Sequence, residues 1–139
     1  MNMFNEPLVP KANPRLSRDF MRPRGDGIEL IGQRCVDCGR TLFPKTGVCP
    51  TCRSENLQDQ PLPETGTLYS WSVVHVAPKE WKTPYTIGYV DLPNQVRVFA
   101  HIGGDPAHLR CDMPVRVAMA QIGVEADGQP RPFFHFLPI

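Results

Sequence analysis

Apolar and polar positions trade places along the second half of the chain in a way that predicts strands. The stretch Thr67-Leu68-Tyr69-Ser70-Trp71-Ser72-Val73-Val74-His75-Val76 is rich in β-branched and aromatic residues and partly alternates. Tyr85 to Leu92, Val96 to Ile102, Val115 to Ile122 and Pro132 to Leu137 predict four more strands. Turn chemistry separates them at Pro93-Asn94, Gly103-Gly104-Asp105-Pro106 and Asp127-Gly128-Gln129-Pro130. Five strands in about 75 residues, with no convincing helix between them, fit a small closed barrel, because an open sheet would leave two unprotected edges. The first half reads differently. Residues 1–13 are polar and proline-bearing and predict an extended arm. Residues 14–24 predict a short helix: Pro14 suits a first turn, Leu16 and Phe20 stand four apart, and Pro23 ends the pattern. Gly25-Asp26-Gly27 signals a turn, and Ile28 to Gln33 predicts a strand entering the segment 35–52, whose expected apolar packing is Leu42 and Phe43.

Composition narrows the picture. Sixteen prolines in 139 residues keep helices few and short. A net charge of +1 with 21% charged residues resembles neither a nucleic-acid-binding tail nor an acidic linker. No run reaches the ~18 apolar residues of a membrane span, and Met1 to Pro10 lacks the apolar stretch of a signal peptide. Charge is nevertheless uneven. Lys11, Arg15, Arg18, Arg22 and Arg24 face only Asp19 within residues 10–24, which is either a solvated helix face or an anion site for ligand phosphates or an acidic partner.

The strongest chemical signal is four cysteines, Cys35, Cys38, Cys49 and Cys52, in two C-x-x-C pairs with ten residues between them. Such pairs put four thiolates at the corners of a tetrahedron, the arrangement zinc takes, and four protein ligands leave no open position for catalytic water. A structural zinc is therefore expected. Redox disulfides, or iron in a rubredoxin-like site, are the alternatives. Gly39 supplies the permissive backbone behind the first pair and Pro50 stiffens the second. Arg34, Arg40, Lys45 and Arg53 are near enough in sequence to soften a site of formal charge −2. Only Cys111 is left over, so a reducing cytoplasm is the expected setting. The expected architecture is mainly β: a short N-terminal helix and a rubredoxin-like zinc ribbon within residues 1–60, then a five-stranded OB-fold barrel over residues 61–139.

The order of these parts resembles the family once catalogued as domain of unknown function thirty-five, the acyl-CoA-associated zinc-ribbon and OB-fold proteins similar to a steroid-degradation hydratase subunit. The residues that carry the resemblance are Phe20, Leu30-Ile31-Gly32-Gln33-Arg34-Cys35-Val36-Asp37-Cys38-Gly39-Arg40, Phe43-Pro44 and Val48-Cys49-Pro50-Thr51-Cys52. They continue with Gly66-Thr67-Leu68-Tyr69-Ser70-Trp71-Ser72-Val73-Val74-His75, Pro84-Tyr85, Tyr89-Val90-Asp91-Leu92 and Met113-Pro114-Val115-Arg116-Val117, so that about residues 14–137 are covered. The resemblance implies an accessory subunit that docks on a thiolase-fold enzyme as a hetero-oligomer and completes or bridges a shared acyl-CoA site without carrying the nucleophile. Two positions depart from the family pattern. Leu92-Pro93-Asn94-Gln95 replaces an acidic-glycine hairpin turn, and Asp112 stands where a glycine commonly precedes Met-Pro-Val.

No catalytic set is visible. His75, His101, His108 and His135 are scattered, and Cys111 sits beside Asp112, whose charge disfavours a thiolate. Trp81, in a proline-bounded loop, either folds over the barrel end or anchors an interface, where tryptophan is enriched. Together with Arg15, Arg18 and Arg22 it is the candidate contact to a partner or to CoA. Three function classes follow: a non-catalytic subunit of a thiolase-like complex acting in retro-aldol cleavage, condensation or acyl transfer; a single-stranded nucleic-acid-binding ribbon and barrel; and a stand-alone enzyme. Residues 61–139 hold six basic and seven acidic side chains, which argues against the second.

Overall fold

The computed structural model describes residues 19–124 and 128–139. Nine strands are assigned there: β1 (Met21–Arg24), β2 (Gly27–Cys35), β3 (Thr41–Leu42), β4 (Leu57–Pro61), β5 (Thr65–Val74), β6 (Tyr85–Leu92), β7 (Val96–Ile102), β8 (Pro114–Val124) and β9 (Pro130–Pro138). A 3-10 turn at Pro106–His108, capped by the Asp105 carboxylate on the Ala107 N–H at 2.9 Å, joins β7 to β8. Strands β5, β6, β7, β9 and β8 close into a barrel in that order. All neighbours are antiparallel except β7 and β9, which meet in parallel at His101–His135 and Ile102–Phe136. The expected mainly β architecture, a ribbon followed by a five-stranded barrel, is what the chain adopts.

Alternation explains the barrel wall. On β7, Val96, Val98, Ala100 and Ile102 point inward while Arg97, Phe99 and His101 point out. On β6, Thr86, Gly88, Val90 and Leu92 are buried and Tyr89 is exposed. Tyr69 occupies the bulge where β5 changes register between Leu68 and Ser70, which turns its ring outward as well.

The ribbon is built on β2, which pairs with β1, β3 and β4. Strand β2 is buried from Ile28 to Gly32, and its Ile28 and Leu30 join Met21, Leu62, Leu68, Val115, Phe134 and Phe136 in the main core. Ribbon and barrel thus share one hydrophobic interior, stitched where the Leu62 N–H donates to the Leu30 carbonyl at 2.8 Å.

The helix expected over residues 14–24 is corrected by its C-terminal half. Residues 14–18 lie outside the described residues, but residues 19 and 20 form a turn and Met21–Arg24 is a strand. Arg24 pairs with Gly27 across a two-residue turn in which Gly25 holds φ +59°, so hairpin chemistry overrides the four-residue spacing of Leu16 and Phe20. Pro23 needs no ladder donor on an edge strand. Phe20 instead makes edge contacts with Phe43, Phe133 and Phe134 at centroid distances of 6.2, 5.7 and 5.9 Å.

The two departures from the family turn pattern sit in left-handed backbone. Asn94, Gln95 and Asp112 have φ of +75°, +62° and +65°. Glycine reaches this region without the Cβ clash that an L side chain suffers. Gln95→Gly is expected to stabilise the protein by about 1 kcal/mol, read as a higher midpoint in urea at unchanged slope.

Candidate metal centre and aromatic face

Each cysteine pair makes the same local loop. The Gly39 N–H donates to the Cys35 carbonyl and the Arg53 N–H to the Cys49 carbonyl, both at 2.8 Å. Gly39 and Arg53 then both take positive φ, +79° and +65°. Arg53 therefore occupies in the second knuckle the position of Gly39 in the first, at the steric cost that glycine avoids. The knuckles are tied together by the Arg40 guanidinium on the Thr51 hydroxyl at 2.6 Å, and by Asp37, which accepts from the Ser54 hydroxyl and from the Asn56 amide.

The four Sγ atoms lie within 4.8 Å of one another. Cys35 and Cys52 are 3.5 Å apart and Cys38 and Cys49 3.7 Å. A tetrahedron with Zn–S bonds of 2.3 Å has edges of about 3.8 Å, so the donor set fits zinc with little movement. Cys35 and Cys49 are fully buried and Cys38 and Cys52 are exposed. Backbone N–H groups begin the work of ionising the site. The Cys38 N–H leads the effects that hold the Cys35 thiol below its usual range, and the Cys52 and Thr51 N–H groups bring Cys49 down to about 6. Arg40 and Ser54 N–H groups favour the other two thiolates, but burial and the neighbouring sulfurs outweigh them, raising Cys38 and pushing Cys52 up to about 12. Four sulfurs this close cannot all ionise without a cation among them, and a divalent ion supplies that charge. The site is closed by its own four ligands and is structural in kind.

The expected packing of Leu42 and Phe43 divides. Leu42 lies against Cys35, Cys49 and Leu57, whereas Phe43 turns away and joins the barrel core. Of the basic residues near the site, Lys45 pairs with Asp59 at 3.0 Å and Arg40 bridges the knuckles.

Sequence reasoning missed a second site on the outer barrel wall. Tyr69, Tyr89 and Phe99 are 49%, 44% and 55% exposed. The Tyr89 and Phe99 rings pair across strands at 5.2 Å, and the Arg97 guanidinium lies 3.6 Å above the Tyr69 ring while gripping Asp91 at 2.6 and 3.0 Å. Beside this patch a groove of about 570 Å³ opens between ribbon and barrel, walled by Phe43, Trp81, Phe99, Phe133 and Arg131. Period-two patterning marked these residues as strand members. Which of them stay uncovered depends on where the ribbon stops, and only the fold shows that.

Of the candidate contact residues, Arg22 and Trp81 fall among the described residues and make separate contacts. Arg15 and Arg18 lie outside the described residues. Arg22 and Arg24 both pair with the buried carboxylate of Glu29, at 2.5 and 3.2 Å, so the Arg22 charge is engaged within the fold. Trp81 is half-buried and stacks on His101, with centroids 5.8 Å apart and planes at 9°. Cys111 is exposed, and His108 ends the 3-10 turn.

Burial, then the neighbouring positive charge of Arg131 and of His135, lowers the pKa of His101, and burial lowers that of His135. A histidine with a depressed folded pKa binds its proton more readily once unfolded, so stability falls as pH drops below about 6.5. The melting temperature is expected to decline between pH 7 and pH 5, and less steeply in a His101→Gln, His135→Gln variant.

Comparison with known proteins agrees with this construction. Residues 28–58 match the model of the ChsH2 rubredoxin-like zinc ribbon domain, and residues 59–120 match that of the ChsH2 C-terminal OB-fold domain. The benzoylsuccinyl-CoA thiolase subunit BbsA of Thauera aromatica is 39% identical over 87% of this chain and 85% of its own. A DUF35 domain-containing scaffold protein of Methanocaldococcus jannaschii is 34% identical over 70% of this chain and 72% of its own. Among solved structures, a chain of the Ltp2-ChsH2(DUF35) aldolase superposes with a TM-score of 0.64 at 28% identity, covering 79% of this chain and 84% of that one. Two knuckles that fit zinc, a five-stranded barrel sharing their core, and sequence similarity running through both place the chain in the DUF35 family of ChsH2-type zinc-ribbon and OB-fold proteins.

Proposed function

We propose that this chain is a non-catalytic accessory subunit of a thiolase-like acyl-CoA enzyme complex. It stabilises a thiolase-fold partner in a hetero-oligomer and helps to form the partner's CoA or substrate site. The observation that carries this reading is the 39% identity to BbsA along most of both chains, because that relative is by name a thiolase subunit. The Ltp2-ChsH2(DUF35) aldolase neighbour, by name a DUF35 chain together with a second protein, supports a role as a subunit. The proposed class of partner reaction is retro-aldol cleavage, condensation or acyl transfer. The zinc holds the ribbon together and takes no part in chemistry. The proposed units are residues 1–60, which carry the ribbon, and residues 61–139, which carry the barrel, and the working place is the cytoplasm. Among the described residues no helix is long and apolar enough to cross a membrane.

Trp81, Arg15, Arg18 and Arg22 are the proposed contacts to partner or CoA. Trp81→Ala is expected to weaken the complex more than Arg18→Ala at physiological salt, because aromatic anchors dominate interfaces and exposed charges are screened. The aromatic outer wall also suits the stacked bases of single-stranded nucleic acid, but a barrel with six basic and seven acidic residues has little pull on phosphates.

The experiment is reconstitution. The isolated chain turns over no acyl-CoA thioester, a thiolase-fold enzyme from the same genome gains activity when the chain is added, and Cys111→Ala supports that gain fully. Turnover by the isolated chain that is abolished in Cys111→Ala would contradict the proposal, as would micromolar binding of single-stranded nucleic acid with no effect on the thiolase.

A further inference from the structure

The groove between ribbon and barrel has a one-sided chemistry. Its walls are aromatic, and among the described residues two guanidinium groups line it and no carboxylate does. The two arginines differ. Arg97 is committed to Asp91 through two hydrogen bonds. Arg131 donates from Nε to the Ile122 carbonyl at 3.3 Å and lies 4.8 Å from the Phe133 ring, and it has no acidic partner among the described residues. A guanidinium held over a ring, with donors to spare and no acidic partner among the described residues, is suited to gripping a carboxylate through two parallel bonds.

The aromatic surface also runs on beyond the groove. Phe99 is shared between the groove and the exposed patch of Tyr69 and Tyr89. A small molecule seated in the groove would leave that continuation in water, whereas a folded partner would cover both. Tryptophan, tyrosine and arginine grouped around an apolar hollow are the composition of an interface centre, and exposed contiguous apolar surface marks such places.

We infer that this groove is where the partner subunit seats, and that it takes an apolar side chain of the partner flanked by a carboxylate, with the apolar group between Phe43, Phe99 and Phe133 and the carboxylate on Arg131. This rests on the thiolase-subunit reading and adds to it a location and a chemistry.

The test uses the full chain and a thiolase-fold enzyme from the same genome, with affinity followed by titration calorimetry. Phe99→Ser and Arg131→Glu should each weaken the complex at least ~10-fold. Arg131→Gln should also flatten its salt dependence. Val76→Ser, at a side chain 89% exposed in the β5–β6 loop, should change affinity less than ~2-fold. Circular dichroism and zinc content confirm that each variant is folded. A photo-crosslinking residue at position 99 should capture a partner peptide that contains Asp or Glu, and one at position 76 should not. If the complex forms but Phe99→Ser and Arg131→Glu leave it intact, or the crosslink comes from position 76, the location is wrong while the subunit reading stands. If no complex forms with the wild-type chain, both fall. Tight binding of a free aryl carboxylate such as phenylacetate in the groove, unchanged by the partner, would also overturn the inference.

Discussion

Cys49→Ser is expected to abolish zinc binding and unfold the ribbon. Cys49 is fully buried, backbone N–H groups hold its thiol well below the usual range, and its carbonyl anchors the second knuckle through Arg53. Structural zinc supplies about 10–16 kcal/mol of apparent binding energy, comparable to the whole stability of a typical domain, about 5–15 kcal/mol. Among the described residues the cluster behind the site contains Cys35, Cys49 and Leu42, with Leu57 packed against it, too little apolar area to hold the knuckles without metal. Because β2 runs from the zinc site into the main core, the loss should reach the barrel and lower its melting temperature as well. Metal content by elemental mass spectrometry should fall from one zinc per chain to none. Cys111→Ser, at an exposed cysteine outside the cluster, should keep its zinc and its melting temperature.

Gly88→Ala should be among the most damaging single-methyl additions in the barrel, beside Gly66→Ala. A Cβ at Gly88 would lie 2.4 Å from the Ser70 carbonyl oxygen and 3.2 Å from the Ile102 side chain. Backbone stands on one side and a closed wall on the other, so β5 and β6 must separate. Overpacking of this kind costs up to about 3 kcal/mol, a fall of roughly 10 °C in melting temperature for a chain of this size. Gly47→Ala, with nothing within 4 Å of its Cβ position and an ordinary φ, is the control and should melt with the wild type. Strand β6 also carries Tyr89, so Gly88→Ala should lose partner binding in proportion to barrel integrity, whereas Phe99→Ser should lose binding at unchanged melting temperature.

The barrel was legible because its strands carry their own signals. Tyr85–Leu92 and Val96–Ile102 are read from alternation to the residue, since one face of each meets the core and the other meets water. The metal site was legible because ligand spacing is a local property, set within each C-x-x-C turn. Strands β1 and β4 were not. Met21-Arg22-Pro23-Arg24 and Leu57-Gln58-Asp59-Gln60-Pro61 contain one apolar residue apiece besides proline, and they are strands because β2 offers them a ladder. The pairing of Glu29 with Arg22 and Arg24 was hidden for the same reason: antiparallel register, not sequence distance, brings those charges together. The groove was hidden because Phe43 and Phe133 come from opposite halves of the chain and line one groove only when ribbon and barrel share a core.

Sedimentation velocity of the purified chain mixed with a thiolase-fold enzyme from the same genome tests the central claim most directly. One faster-sedimenting species containing both chains is expected at micromolar concentration, stable in physiological salt and lost with Phe99→Ser. Two independent boundaries at those concentrations, with the zinc-loaded chain folded and sedimenting as it does alone, would contradict it.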